Sequence, residues 1–200
     1  MDNPKPQMPA LTLNAPNAIT AIRIVLSALI VWLLMQGMPA QVLLAGILLV
    51  LAWATDGLDG FLARKLGQTS LAGGLFDLVA DRVLMTPALI IAIANGLWAR
   101  TASLIPFNPY PYAIVVIAGD LTVLAGVCIF LWKYRTRELE FPAPTQIARI
   151  TYSVQMLTLS VGILGIGPDM LLAALMYLAI IFTLLSFYSY LRKSSYVFTS

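Results

Sequence analysis

Six apolar stretches follow one another along this chain, each close to the length a helix needs to cross a bilayer. They cover residues 16–36, 41–65, 71–98, 111–133, 145–166 and 168–191. Turn-forming residues stand between them: Gly37 and Pro39, Gly67 to Ser70, Pro106, Pro109 and Pro111, Pro142 and Pro144, then Gly165, Gly167 and Pro168. The pattern predicts an all-α fold, an integral membrane bundle of six transmembrane helices. Composition agrees. Of 200 residues, 60% are hydrophobic and 10% charged, and mean hydropathy is +0.88. A soluble domain is about one quarter charged, and one soluble core cannot absorb so much apolar surface. Most of it must therefore face lipid.

The polar ends read as tails, residues 1–13 with Pro4, Pro6 and Pro9 and residues 194–200, around one transmembrane domain over 14–193. The first apolar run is too long for a signal peptide and meets Arg23 early. Lys5, Arg64, Lys65, Lys133, Arg135, Arg137, Arg192 and Lys193 fall on one side of a six-span layout, and Arg100 on the other. The positive-inside rule then places both termini, and the bend between spans two and three, in the cytoplasm. A bacterial inner membrane is the expected location.

Several functions are excluded. The chain has no histidine, so no Ser-His-Asp or Cys-His nucleophile and no phospholipase D-like chemistry can be built. The single cysteine, Cys128, cannot form an internal disulfide; its apolar run suggests a small buried residue. Net charge is +3, with basic residues scattered beside apolar runs. Nucleic acid is therefore not an expected partner.

One segment breaks the apolar pattern. From Asp56 to Asp81 it reads DGLDGFLARKLGQTSLAGGLFDLVAD and holds four of the nine acidic residues. On a helix Asp56, Asp59, Gly60, Ala63 and Arg64 share an arc of about 140°, and Gly73, Asp77 and Asp81 share about 80° on the next. The short connection makes these helices antiparallel neighbours, so the carboxylates can face one another across one seam. Gly60 and Gly73 leave space there. An isolated acid in a span costs on the order of 3 kcal/mol, so the cluster calls for cations. Two divalent ions would balance four carboxylates. All-oxygen ligands suit Mg²⁺ or Mn²⁺. The competing readings are salt bridges to Arg64 and Arg82 that only hold helices together, and a cation pathway.

The segment resembles the signature of the CDP-alcohol phosphatidyltransferases. Asp56, Asp59, Gly60, Ala63, Arg64, Gly73, Asp77 and Asp81 match its eight fixed positions without a gap. The resemblance implies transfer of a phosphatidyl group from CDP-diacylglycerol to an alcohol acceptor with release of CMP. It implies Asp56, Asp59 and Asp77 as metal ligands, with Asp81 at the metal site and acting as general base. Gly60, Ala63, Arg64 and Gly73 would line the CDP-lipid pocket. Membrane lipid is an implied partner, and a homodimer is left open.

Within the family, Asn14 to Arg23 and Pro144 to Gln155 resemble phosphatidylglycerophosphate synthases and the related cardiolipin synthases. This makes Thr20, Arg23, Arg82 and Arg149 candidates for the acceptor pocket, while Gln155 is expected to pack between helices. There are departures. Leu78-Val79-Ala80-Asp81-Arg82 stands where those relatives usually read Pro-x-Ala-Asp-Lys. Gly119-Asp120 stands where they have an arginine before an acid. The arginine that phosphatidylglycerophosphate synthases carry two turns later is also missing, with Arg135 and Arg137 as the nearest substitutes. A pocket short of cations favours phosphatidylglycerol as acceptor, hence a cardiolipin synthase, with glycerol 3-phosphate as the alternative. A cation carrier without enzymatic activity is the alternative of another class.

Overall fold

The computed structural model describes residues 15–66, 71–98, 109–134 and 146–198, with side chains over 22–55, 78–98, 109–129 and 146–190 and at Arg192. Among these residues the chain forms six helices: α1 (Ala15–Gln36), α2 (Pro39–Leu66), α3 (Leu71–Ala94), α4 (Tyr110–Tyr134), α5 (Gln146–Leu164) and α6 (Asp169–Phe198). The six apolar stretches correspond to them one for one. Among the described residues, α4, α5 and α6 are long and apolar enough to span a membrane, and the stretches Ile22–Gln36 of α1 and Pro39–Thr55 of α2 are apolar too.

Helix ends follow local chemistry. α3 stops in a Schellman motif: Gly96 takes φ of 66°, its N–H donates to Ile93 O, and the Leu97 N–H donates to Ala92 O. Only glycine adopts that backbone without strain. The neighbouring Asn95 donates from Nδ2 to Leu34 O at 2.7 Å, satisfying an end carbonyl of α1 and tying the two helix ends together. Pro39 opens α2, where a missing N–H costs nothing. Pro87 lies inside α3 without ending it.

The helices close into a ring in the order α1, α2, α5, α6, α4, α3, with α3 and α5 also touching across the middle. α5 is consequently the inner helix: 56% of its apolar window is buried, against 28% for α4 and 33% for α6. The outer faces carry Ile22, Trp32, Ile114, Leu121, Ile181 and Leu184, all exposed as lipid-facing residues must be. Cys128 corrects one expectation, since it is exposed on α4. An apolar neighbourhood in a membrane helix signals lipid as readily as core.

The apolar core fills one half of the bundle, from Ile30, Leu34 and Leu49 through Leu84 and Leu89 to Met156, Leu159 and Met176. At its far end Trp98 and Tyr112 stack with ring centroids 5.2 Å apart. Gly162 of α5 makes room for the Trp98 ring, which occupies the place of any side chain there.

Candidate active site

The signature residues sit on two unbroken helices. Asp56, Asp59, Gly60, Ala63 and Arg64 lie in the second half of α2, and Gly73 and Asp77 in the first two turns of α3. Continuous helix through both stretches keeps the periodic spacing on which the shared faces depend. The side chains of these residues, and of Thr20 in α1, lie outside the described residues, as do Arg135 and Arg137. The expected α2–α3 seam falls on that stretch. Elsewhere α1 packs against both α2 and α3.

Asp81 is described, and it is buried. Arg23 of α1, one of the acceptor candidates, reaches it: Arg23 Nη1 donates to Asp81 Oδ1 at 3.3 Å. Arg23 is itself buried. The arginine beside Asp81 turns the other way. Arg82 Nη1 donates to Asp120 Oδ1 of α4. The same nitrogen lies 3.4 Å from Gln155 Oε1 of α5. Its guanidinium carbon sits 5.6 Å from the centroid of the Tyr152 ring, within cation–π range. Asp120 Oδ2 accepts from Thr86 Oγ1 at 2.7 Å. Gln155 Nε2 donates to Thr183 Oγ1 of α6 at 2.9 Å, and Thr183 donates to Ala179 O.

Two consecutive residues of α3 thus carry opposite charges to opposite sides. The sequence Arg23, Asp81, Arg82, Asp120 alternates in sign and sums to zero. That balance matters, because an uncompensated charge in a membrane helix is costly. With Gln155 and Thr183 the layer touches α1, α3, α4, α5 and α6. Arg82 pairs outside the acidic cluster, so the simple reading of its arginine as a brace for those aspartates does not hold.

Arg149 is separated from the other described candidates. It is exposed in the first turn of α5, three residues before the Tyr152 that holds Arg82. Gln155 fulfils its expected role between helices. Sequence reading passed over Asp120, Thr86 and Thr183 as partners. For Asp120 a signal existed: it is the only charged residue between Tyr110 and Trp132, and a lone acid in a span needs a partner. At Gly119 the structure gives a reason for the small residue. A Cβ there would stand 2.8 Å from Thr183 Cγ2, and Thr183 is fixed by its two hydrogen bonds.

Residues 13–185 match the CDP-alcohol phosphatidyltransferase family. The chain belongs to this family. Among its relatives is the CDP-diacylglycerol–glycerol-3-phosphate 3-phosphatidyltransferase of Yersinia enterocolitica, 29% identical over 189 residues, covering 92% of this chain and 96% of the relative. The protein of the same name from Haemophilus influenzae is 28% identical over 183 residues, 90% of this chain and 92% of that one. A shorter match, 33% identical over 97 residues, covers 48% of this chain and about half (53%) of the same-named protein of Wigglesworthia glossinidia brevipalpis.

The family's donor set is chemically consistent here with hard divalent cations. Every ligand candidate is a carboxylate, and α2 and α3 present them at helical spacing. Among the described residues no group of three such side chains is gathered, since Asp81 is the one member of the set with a described side chain.

Proposed function

We propose that this protein transfers the phosphatidyl group of CDP-diacylglycerol to glycerol 3-phosphate, releasing CMP and forming phosphatidylglycerol phosphate. The observation that carries the acceptor is the match to glycerol-3-phosphate phosphatidyltransferases over about nine tenths of the chain. This reverses the preference for phosphatidylglycerol drawn from the missing α4 arginines. Arg23 of α1 reaches Asp81, so α1 supplies beside Asp81 a cation that α4 lacks.

In this reading Asp56, Asp59, Asp77 and Asp81 would hold two Mg²⁺ or Mn²⁺ ions, which would neutralise pyrophosphate charge and ease departure of CMP. Gly60 and Gly73 give the nucleotide close access to the two helices, with Ala63 and Arg64 beside it. The acceptor oxygen forms a bond to the phosphorus nearest the lipid, the bond to the CMP oxygen breaks, and Asp81 takes the hydroxyl proton. Arg23, Arg82, Thr20 and Arg149 attract and orient the acceptor's phosphate. The motif end of the bundle faces the cytoplasm of a bacterial cell. There the soluble head groups enter from water while acyl chains stay in lipid.

The test is direct. Purified protein is incubated with CDP-diacylglycerol and Mg²⁺ or Mn²⁺, with glycerol 3-phosphate or phosphatidylglycerol in separate reactions, and the lipid product is identified by mass. Phosphatidylglycerol phosphate is expected. Cardiolipin from phosphatidylglycerol, with glycerol 3-phosphate inert, would overturn the acceptor assignment and restore the other one.

A further inference from the structure

Asp81 is held from α1. Arg23 Nη1 donates to its Oδ1 at 3.3 Å, and the two side chains are 6% and 12% exposed. The carboxylate is thus the more open partner, and the arginine backs it rather than covering it. The backbone that carries the arginine is fixed as well. Ser27, one turn further along α1 and buried, donates from Oγ to Arg23 O at 2.6 Å. Arg82, next to Asp81 in the chain, is drawn instead to Asp120 and Gln155. Stability does not call for the Arg23–Asp81 pair. Ile30 and Leu34 of α1 share one apolar core with Leu84 and Leu89 of α3, and Asn95 is bonded to Leu34 O. A buried ion pair adds little to such a junction. The contact is also loose, since tight charge-assisted bonds are about 2.7–2.9 Å long. At 3.3 Å it orients the carboxylate without closing the pair that would keep it from other partners.

We propose that Arg23 is a positioning residue for Asp81: from α1 it fixes the carboxylate in the place from which it takes the acceptor's hydroxyl proton. This rests on the reading of Asp81 as general base, and it gives Arg23 a duty apart from attracting the acceptor's phosphate. A base must stand within hydrogen-bond reach of the proton it takes, and a displacement of about 1 Å can cost about 10²-fold in rate. Asp77 stands one turn before Asp81 on α3, and like charges four residues apart repel. The cation on the α1 side offsets that push.

The experiment uses the full-length protein in nanodiscs, with CDP-diacylglycerol and the acceptor that the wild type uses, and measures kcat and both KM values. Arg23→Gln is expected to lower kcat at saturating acceptor about tenfold to a hundredfold. Arg23→Lys, which keeps the charge, is expected to recover part of the loss. In an Asp81→Asn background Arg23→Gln should lower kcat by no more than about twofold, because a residue that acts through another has nothing left to act on. A second readout needs no turnover. Mn²⁺ binding to the substrate-free protein, followed by electron paramagnetic resonance, should tighten about threefold or more in Arg23→Gln, since a positive charge beside the carboxylates is gone. An unchanged kcat in Arg23→Gln overturns the proposal, and so does a loss confined to the acceptor KM. An equal loss with and without Asp81, or an unchanged Mn²⁺ affinity, overturns it too. Should Arg23→Gln fail to fold, Arg23→Lys carries the same cycle, and its partial loss should vanish in the Asp81→Asn background. The reading of Asp81 as base fails separately, on near-normal turnover in Asp81→Asn alone.

Discussion

The two halves of this bundle are built on different principles. Toward the motif end, Arg23, Asp81, Arg82, Asp120, Gln155 and Thr183 are buried and joined by hydrogen bonds across five helices. Toward the other end the interior is Ile30, Leu34, Leu49, Leu84, Met156 and Leu159, with Trp98 seated on Gly162. In a membrane the apolar half gains little from leaving lipid for protein, so close packing has to hold it together. The polar half has no such freedom. Its charges require fixed partners, and each broken pair leaves a charge in a medium of low dielectric. Chemistry should therefore fail when the polar half is altered, and stability when the apolar half is.

The largest effect is expected at the aspartates of the signature. Asp56→Asn or Asp77→Asn should reduce turnover by about 10³-fold or more, since several kcal/mol of charge stabilisation would be lost, and should weaken divalent-metal binding. Excess chelator should abolish wild-type activity, and Mg²⁺ or Mn²⁺ should restore it. Full activity in excess EDTA would remove the metal site. Next comes Asp81→Asn, with a loss in kcat of about 10²–10⁴ and CDP-lipid binding largely intact in an equilibrium assay. Near-normal turnover would take the role of base away from Asp81.

A smaller effect, and of another kind, is expected in the apolar half. Gly162→Leu drives a side chain into the Trp98 ring and should cost about 1–3 kcal/mol in an unfolding measurement. Both KM values of the folded fraction should be unaltered; a selective change in the acceptor KM would show that the two halves are coupled. The smallest effect is expected at the edge of the polar layer. Thr183→Val removes the hydroxyl that Gln155 donates to, a loss of about 0.6 kcal/mol on membrane-protein averages, with activity within about twofold. A collapse of activity would mean that the layer acts as one unit through to α6.

The six helices, their approximate ends and the placing of the signature on α2 and α3 could be read from the chain. Each of these depends on short-range features: apolar run length, glycine and proline punctuation, and carboxylates repeated at helical spacing. Asp56 to Asp81 fall within α2 and α3, which are consecutive in the chain, so their pattern survives in one dimension. Burial inside a lipid-facing protein leaves a fainter trace: the inner helix α5 is less apolar than the outer α4, yet an apolar neighbourhood by itself does not tell core from lipid, as the exposed Cys128 of α4 shows.

What remained for the tertiary structure is the choice of partners. Arg82 meets Asp120 at a separation of 38 residues, and Gln155 meets Thr183 at 28. Nothing local links them; they come together because the ring order places α4 and α5 against α3, and α6 against both α4 and α5. The sequence alone determined that acidic and basic residues had to be paired within the spans, because lipid cannot solvate them. The ring of helices decided which acid serves which arginine, because a charge in the membrane can be satisfied only by the neighbour that packing brings within a few ångströms.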